Sequence, residues 1–157
     1  MKRLTSLISA DPEFLRYKEL IGAADGEEIL PIAVNGLTGG AELAFITESV
    51  ILVNATRGGA ALVLAESESD AERICRSLLG EDLRVARLKR RELVFHNIKA
   101  SHDTDRERLS VLYSLMTGKL DVIVSTASAS INQTNLTLSN SHRAITIVKN
   151  EVYLHVT

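Results

Sequence analysis

A glycine-rich turn is the part of this sequence whose residue types come closest to a known chemistry. It spans residues 35–43, reads NGLTGGAEL, and lies between a short apolar run and a long one. A phosphate-binding loop reads G-x-x-x-x-G-K-[ST], because backbone amides and a helix N-terminus hold phosphate, a lysine neutralises it and a hydroxyl binds magnesium. Aligned from Gly36, that pattern places Ala41 at the second glycine, Glu42 at the lysine and Leu43 at the hydroxyl.

Glu42 decides how this turn is interpreted. A carboxylate repels phosphate where the lysine would attract it, and no hydroxyl remains at the next position to bind magnesium. We interpret the turn as a structural remnant inherited from a nucleotide-binding ancestor; a live nucleotide site and a coincidental tight turn are the alternatives. The residues of this degenerate phosphate loop, which we do not expect to bind nucleotide, are Gly36, Thr38, Gly39, Gly40, Ala41, Glu42 and Leu43.

A basic cluster is the second candidate site. Its cations follow one another on a predicted strand and its exit, and they could contact DNA phosphates or acidic groups of a partner protein. No aromatic residue is interleaved to stack on bases, and neighbouring acidic residues dilute the charge, so a solvated face is the favoured interpretation. DNA binding would instead give a salt-sensitive affinity. The cluster consists of Arg84, Arg87, Lys89, Arg90 and Arg91.

Two further groups resemble catalytic motifs. Residues 101–103 read Ser-His-Asp, but a catalytic triad is assembled from separated segments, and an N-cap with an acidic first turn for a helix beginning near Arg106 explains them. Asp121 precedes an apolar strand, whereas a magnesium-binding carboxylate is needed at the carboxyl end, where Ser125 and Thr126 stand instead. We therefore predict no catalytic residue and no metal ligand.

Composition limits the remaining classes of function. The 157 residues suffice for one domain, and 18 basic against 20 acidic residues give no charge argument for nucleic acid or membrane. The single Cys75 suggests a reducing compartment, and no export signal is apparent. The most apolar window, residues 41–55, is shorter than the roughly 20 residues that span a bilayer. We expect a cytoplasmic protein without a membrane contact.

Apolar periodicity predicts the elements that position these residues. Buried runs alternate with segments of helical spacing, which is typical of an α/β domain with a mainly parallel sheet. Residues 96–105 are polar and are predicted to be irregular. The helix after them has Leu109, Leu112, Tyr113 and Met116 on one side. We predict strands at 29–34, 60–65, 83–88, 121–126 and 144–148, and helices at 11–22, 40–56, 67–79, 106–116 and just after 126.

Several segments, taken in order, resemble the bacterial transcription-repair coupling factor family, Mfd. They are LPIAVNGLTGG (30–40), ALVLA (61–65) followed by DAER (70–73), RELVFHN (91–97), ERL (107–109) with Leu112, and DVIVSTA (121–127). The resemblance covers roughly residues 10–149, and its specificity comes from the order of the pieces. In that family this module is similar to the damage-recognition helicase UvrB, whose loop keeps the glycine, lysine and threonine that Ala41, Glu42 and Leu43 replace here.

The resemblance implies a non-catalytic domain of RecA-like, P-loop type, with three layers, at residues 1–149. Residues 150–157 would be a tail or the start of a following domain. The full-length family is an ATP-dependent DNA translocase of transcription-coupled repair that removes stalled RNA polymerase and recruits the excision-repair protein UvrA. Its ATP and magnesium belong to a downstream motor, so no cofactor is expected for this chain.

Two features leave further hypotheses open. A strand ending in exposed Val152, Tyr153 and Leu154 would be free to pair with another chain. A stand-alone nucleotide-binding α/β protein with an unconventional glycine loop is the alternative to the scaffold.

Overall fold

Between residues 40 and 148 the described helices and strands alternate along the chain, as its apolar pattern predicts. The computed structural model describes residues 2–23, 32–37, 39–90, 98–130, 144–148 and 151–155. Within them the chain forms a mixed α/β fold around a small parallel sheet. The helices are α1 (Lys2–Ser9), α2 (Pro12–Ala23), α3 (Gly40–Arg57), α4 (Glu68–Leu79), α5 (Ile98–Met116) and α6 (Ala127–Ser130), and the strands are β1 (Ala61–Ala65), β2 (Val85–Leu88), β3 (Val122–Thr126), β4 (Ala144–Val148) and β5 (Glu151–His155).

The parallel sheet has the strand order β1-β3-β2. Its register pairs Ala61 and Val85 with Val122 on the two sides of β3. All five residues of β3 are buried, whereas the buried residues of β1 alternate with half-buried ones. A strand paired on both edges and covered on both faces requires a continuous apolar run, which the sequence supplies. The predicted mainly parallel sheet is confirmed for these three strands.

The C-terminal strands form a separate antiparallel pair. β4 and β5 are paired from Ala144 with His155 to Val148 with Glu151, and β4 also lies close to β1. Val152, Tyr153 and Leu154 therefore pair with β4 of their own chain. This pairing uses one edge of β5, and pairing of its other edge with another chain stays a prediction.

Helix boundaries follow local capping signals. Asp11 caps α2, since its Oδ1 accepts hydrogen bonds from the backbone N–H of Glu13 at 2.9 Å and of Phe14 at 3.4 Å. Ser67 caps α4 through a bond from the N–H of Asp70 at 3.1 Å. The structure does not form the predicted strand at 29–34 in the part of it that is described. Residues 29–31 lie outside the described residues, Ile32 forms an isolated bridge, and residues 33–37 carry no regular structure.

Helix α5 corrects two expectations. It begins at Ile98, so the backbone of residues 98–105 is helical and not irregular. No glycine or proline interrupts residues 98–116, and polar residues of ordinary helix propensity are compatible with a helix over this whole range. The predicted apolar side is also only partly buried. Leu112 is buried with Arg108, while Leu109, Tyr113 and Met116 are exposed.

An aromatic cluster joins α2 to α3. The rings of Phe14, Tyr17 and Phe45 lie 5.0 to 5.6 Å apart between centroids, and all three are buried. Helix α3 also contacts α1, α4 and β1. Because neighbours cover this long apolar helix on more than one face, residues 44–47 are all buried.

The hydroxyls of Tyr17 and Ser49 are buried, and neither makes a hydrogen bond of normal geometry within the described part of the chain. Burial raises the pKa of Tyr17 to about 12, an effect that the Ser49 hydroxyl partly offsets. Since this pKa lies above the ordinary value of 10.0, the neutral phenol supports folding fully below pH 10.0, and its contribution is lost as the pH rises through the folded value.

Replacing Tyr17 by phenylalanine removes a buried hydroxyl that makes no hydrogen bond of normal geometry within the described residues. We expect the free energy of unfolding of Tyr17→Phe to be unchanged or higher by about 1 kcal/mol at pH 8, and the variant to lose part of the alkaline decline. Urea unfolding at pH 8 and at alkaline pH measures both effects. Tyr113→Phe, at an exposed residue, is the control and should match the native chain. A loss of more than about 1 kcal/mol in Tyr17→Phe contradicts this account.

Candidate functional site

The glycine turn lies at the carboxyl edge of the parallel sheet, where open α/β domains bind ligands. Asn54, near the C-terminus of α3, donates a hydrogen bond from Nδ2 to the carbonyl of Asp121, just before β3, at 3.1 Å. The C-terminus of α3 thus lies at the amino edge of the sheet, and the helix runs antiparallel to the strands. The first turn of α3 therefore lies at the opposite edge, beside the start of α4. Position alone suits this turn for phosphate binding.

The backbone conformation of the turn favours glycine at two positions. Gly36 has φ 84° and Gly39 has φ 56°, values that other residues rarely adopt, while a Cβ on either would meet no atom within 4 Å. Gly39 precedes α3 without a side-chain cap. Thr38 lies outside the described residues. The loop is open, and its geometry requires glycine at these two positions.

Glu42 forms an ion pair across two helices. Its Oε2 lies 3.4 Å from Nη2 of Arg73 on α4, and the same nitrogen lies 3.4 Å from Oδ1 of Asp70. The Glu42 side chain is 34% exposed, so the pair contributes about 0–1 kcal/mol to stability. As the acidic residue in the first turn of α3, Glu42 also has a favourable interaction with the helix dipole. The residue at the lysine position thus has a structural role.

The neighbouring positions are used for packing. Ala41 lines a cleft of about 620 Å³ between α1, α2 and the segment before the turn, together with Phe14 and Phe45. Leu43 packs against the main apolar core, where a magnesium-binding hydroxyl would otherwise stand. Both side chains are apolar because their surroundings are apolar.

The end of β3 holds the polar groups that face this edge. Ser125 Oγ donates to the carbonyl of Leu88 at 2.9 Å, and Thr126 Oγ1 donates to Oε1 of Glu68 at 3.0 Å. Thr126 Oγ1 also accepts from the N–H of Ala129 at 3.3 Å, at the start of α6. Sequence reasoning identified the two hydroxyl residues but missed Glu68. Its position in the first turn of α4, after a parallel strand, was the available signal.

Glu68 is in turn held by Arg87. Its Oε2 lies 2.7 Å from Nη2 of Arg87, whose Nη1 lies 3.6 Å from Oε2 of Glu72. A hydrogen bond from Arg76 is the main cause that lowers the pKa of Glu72. The resulting chain of contacts runs from the end of β3 through Glu68 to β2. We call the contacts of Thr126, Glu68 and Arg87 the edge lock.

The basic cluster does not form one patch. Arg84 lies at the amino edge, where it contacts both carboxylate oxygens of Asp121 at 2.5 and 3.0 Å, while Arg87 belongs to the edge lock. Lys89 pairs with Glu107 at 2.8 Å. Arg90 is exposed, and Arg91 lies outside the described residues. Carboxylates of the protein itself neutralise three of these cations.

The other candidate groups are also placed by the structure. Residues 101–103 lie inside α5 rather than at its N-cap, which corrects that expectation because the helix begins at Ile98. Arg108 is 3% exposed and donates to the carbonyls of Lys89 and Ala129, which ties α5 to the ends of β2 and α6. Among the described side chains, no group of three or more histidine, cysteine, aspartate or glutamate residues could hold a metal ion. None of the described helices combines the length and apolar character needed to cross a bilayer.

Comparison of the chain with known proteins gives no match. No protein-family model matches the chain, and no curated protein or solved structure is significantly similar to it. The sequence resemblance described above therefore remains an expectation about function.

Asp121 provides a test of how the amino edge is held. Hydrogen bonds from Arg84 are the main cause that lowers the pKa of Asp121, so the pair stabilises the fold above the ordinary value of 3.8 and this contribution is lost as the pH falls through the folded value. We expect Asp121→Asn to unfold at a lower urea concentration at pH 7, with a smaller difference at about pH 3. Asp103→Asn, at an exposed helical carboxylate, should change neither. Equal losses for Asp121→Asn at both pH values contradict a charge-based role.

Proposed function

We propose that this chain is a non-catalytic, RecA-like domain that binds partner proteins and serves as the N-terminal scaffold of a transcription-repair coupling factor. The ion pair of Glu42 with Arg73, at the position of a phosphate-binding lysine, is the observation that carries the non-catalytic part. The scaffold assignment is supported by the ordered segments that resemble that family. The full-length family is an ATP-dependent DNA translocase, and its partners UvrA and RNA polymerase are proposed for the whole protein.

Electrostatics at the carboxyl edge supports the absence of nucleotide binding. Two carboxylates, Glu42 and Glu68, stand on the helix starts that would have to receive phosphate. Two unit charges 4 Å apart interact by about 4 kcal/mol at an effective dielectric constant of 20, and solvent reduces this for the partly exposed Glu42. The interaction with phosphate is repulsive for a glutamate and attractive for a lysine. Exchanging lysine for glutamate therefore both removes an attraction and adds a repulsion. The phosphate would also meet a cation, Arg87, that is already bound to Glu68.

The hydroxyls of this edge support the same proposal. In a phosphate loop a hydroxyl beside the lysine binds magnesium, and a carboxylate at the end of a nearby strand assists it. Here Leu43 is apolar, and Ser125 and Thr126 are buried hydroxyls already bonded to Leu88 and Glu68. Opening the edge to a nucleotide would leave buried polar groups without partners, at about 1–3 kcal/mol for each group.

Titration calorimetry with magnesium ATP tests the proposal. We expect no binding at micromolar concentrations by the native chain or by Glu42→Ala, because removing the repulsion restores neither the lysine nor the magnesium ligand. Glu42→Ala should only lower the free energy of unfolding, by less than about 1 kcal/mol, through loss of the Arg73 pair. Glu48→Ala, on the same helix and outside the loop, controls for the charge change.

A live nucleotide site gives a different pattern. The native chain would then bind magnesium ATP with micromolar affinity, and Glu42→Ala would change that affinity while Glu48→Ala would not. This result overturns the proposal in favour of a nucleotide-binding α/β protein with an unconventional loop.

A further inference from the structure

The strand β5 has one edge that no described element covers. It is paired with β4 along its whole length, from Glu151 to His155. β4 also lies close to β1, whereas of the described elements only β4 packs closely against β5. In an antiparallel pair, the N–H and C=O groups of alternate residues point away from the partner strand. The second edge of β5 therefore presents backbone donors and acceptors with which an added strand can form hydrogen bonds.

β5 lacks three features by which proteins prevent pairing at a strand edge. Proline, lysine and a β-bulge each make an edge unsuitable for a further strand. Residues 151–155 contain neither proline nor lysine, and their register with β4 is one residue opposite one residue at all five positions. Five residues are an ordinary length for a strand. The edge is therefore suited to an extended segment of another chain, which it would bind by β-strand addition.

The sequence of β5 is complementary to itself when two copies run antiparallel. It reads EVYLH. With Tyr153 on a twofold axis, Glu151 of one copy lies opposite His155 of the other. Val152 then lies opposite Leu154, and Tyr153 lies opposite its own copy. An acid opposite a base and an aromatic residue opposite an aromatic residue are combinations that stabilise cross-strand pairs.

Other arrangements of two β5 strands lose this complementarity. A parallel pair in register places glutamate beside glutamate and histidine beside histidine, and like charges destabilise such pairs. Moving the twofold axis by one residue leaves two residues of β5 unpaired and removes both pairs of Glu151 with His155. We propose that the chain forms a twofold symmetric dimer through antiparallel pairing of β5 with β5 of a second copy, centred on Tyr153. This inference goes beyond the scaffold function and does not depend on it.

Sedimentation equilibrium of the native chain over a range of concentrations tests the proposal. We expect a reversible equilibrium between monomer and dimer, with a dissociation constant in roughly the micromolar to millimolar range, because one pair of short strands makes a small interface. Hydrogen exchange followed by NMR gives the location of that interface. Amides within residues 151–155 should become more protected as the protein concentration rises.

Charge exchange within β5 tests the register. Glu151→Lys places a lysine opposite His155 at both ends of the paired strands, and at about pH 6, where free histidine is mostly charged, it should weaken the dimer about fivefold or more. Glu151→Lys combined with His155→Glu again places an acid opposite a base, and it should restore dimerisation to within about twofold of the native chain. Within the hairpin these positions lie opposite Val148 and Ala144, so neither substitution creates a charge pair with β4.

Glu19→Lys is the matched control, because it makes the same charge change at an exposed position of α2. It should leave the dissociation constant of the dimer unchanged. Circular dichroism should report the native fold in every variant, since each substitution is polar for polar.

A chain that stays monomeric up to about millimolar concentration overturns the proposal. So does a dimer that Glu151→Lys and Glu19→Lys weaken equally, a double variant that dimerises no better than Glu151→Lys, or a dimer that forms without added protection of residues 151–155. Magnesium ATP binding is measured separately, so a dimer that also binds ATP overturns the proposed function and leaves this inference standing.

Discussion

Burial of β3 between two parallel neighbours is the constraint on which the rest of the structure depends. All of its residues are buried, from Val122 to Thr126, and its backbone is paired on one side with β1 and on the other with β2. A strand in this position admits polar groups only where the protein itself satisfies them. The polar residues at its two ends therefore determine what each edge of the sheet can do.

Each end of β3 is closed by an arginine on or beside β2 and a carboxylate. At the amino end Arg84 forms an ion pair with Asp121. At the carboxyl end Arg87 forms an ion pair with Glu68, which also accepts a hydrogen bond from the hydroxyl of Thr126. The second arrangement occupies the edge that α/β domains use for ligands. Glu42 on α3 and Arg73 on α4 form a further ion pair at this edge. The polar groups that could face a phosphate here are therefore bonded to one another.

Much of the fold could be predicted from the sequence because local signals are strong there. Asp11-Pro12 begins α2, Gly80 follows α4, and the apolar runs of β1 and β3 are long enough to identify buried strands. The predicted helix boundaries were wrong where a polar segment was taken as irregular, as in the first two turns of α5. The short helix α1 was missed, because tertiary packing decides such a segment more than local propensity does.

The candidate site was predictable only in part. The missing lysine at Glu42 is visible in the sequence, but its pairing with Arg73 is a contact between two helices separated by 31 positions. Arg84 and Arg87 are only three positions apart in the sequence, yet their side chains reach opposite edges of the sheet. Leu109, Tyr113 and Met116 show a helical period that fits equally well a core face and an exposed face that binds a partner, and only burial separates the two.

Amide NMR of the isotopically labelled chain during titration with magnesium ATP tests most directly the central claim, that the protein's own carboxylates close the carboxyl edge. The account predicts no saturable shift at the amides of Gly36, Gly39 and Gly40, up to millimolar nucleotide. Saturable shifts at these three amides, absent when magnesium and a nucleoside without phosphates are added instead, would contradict it.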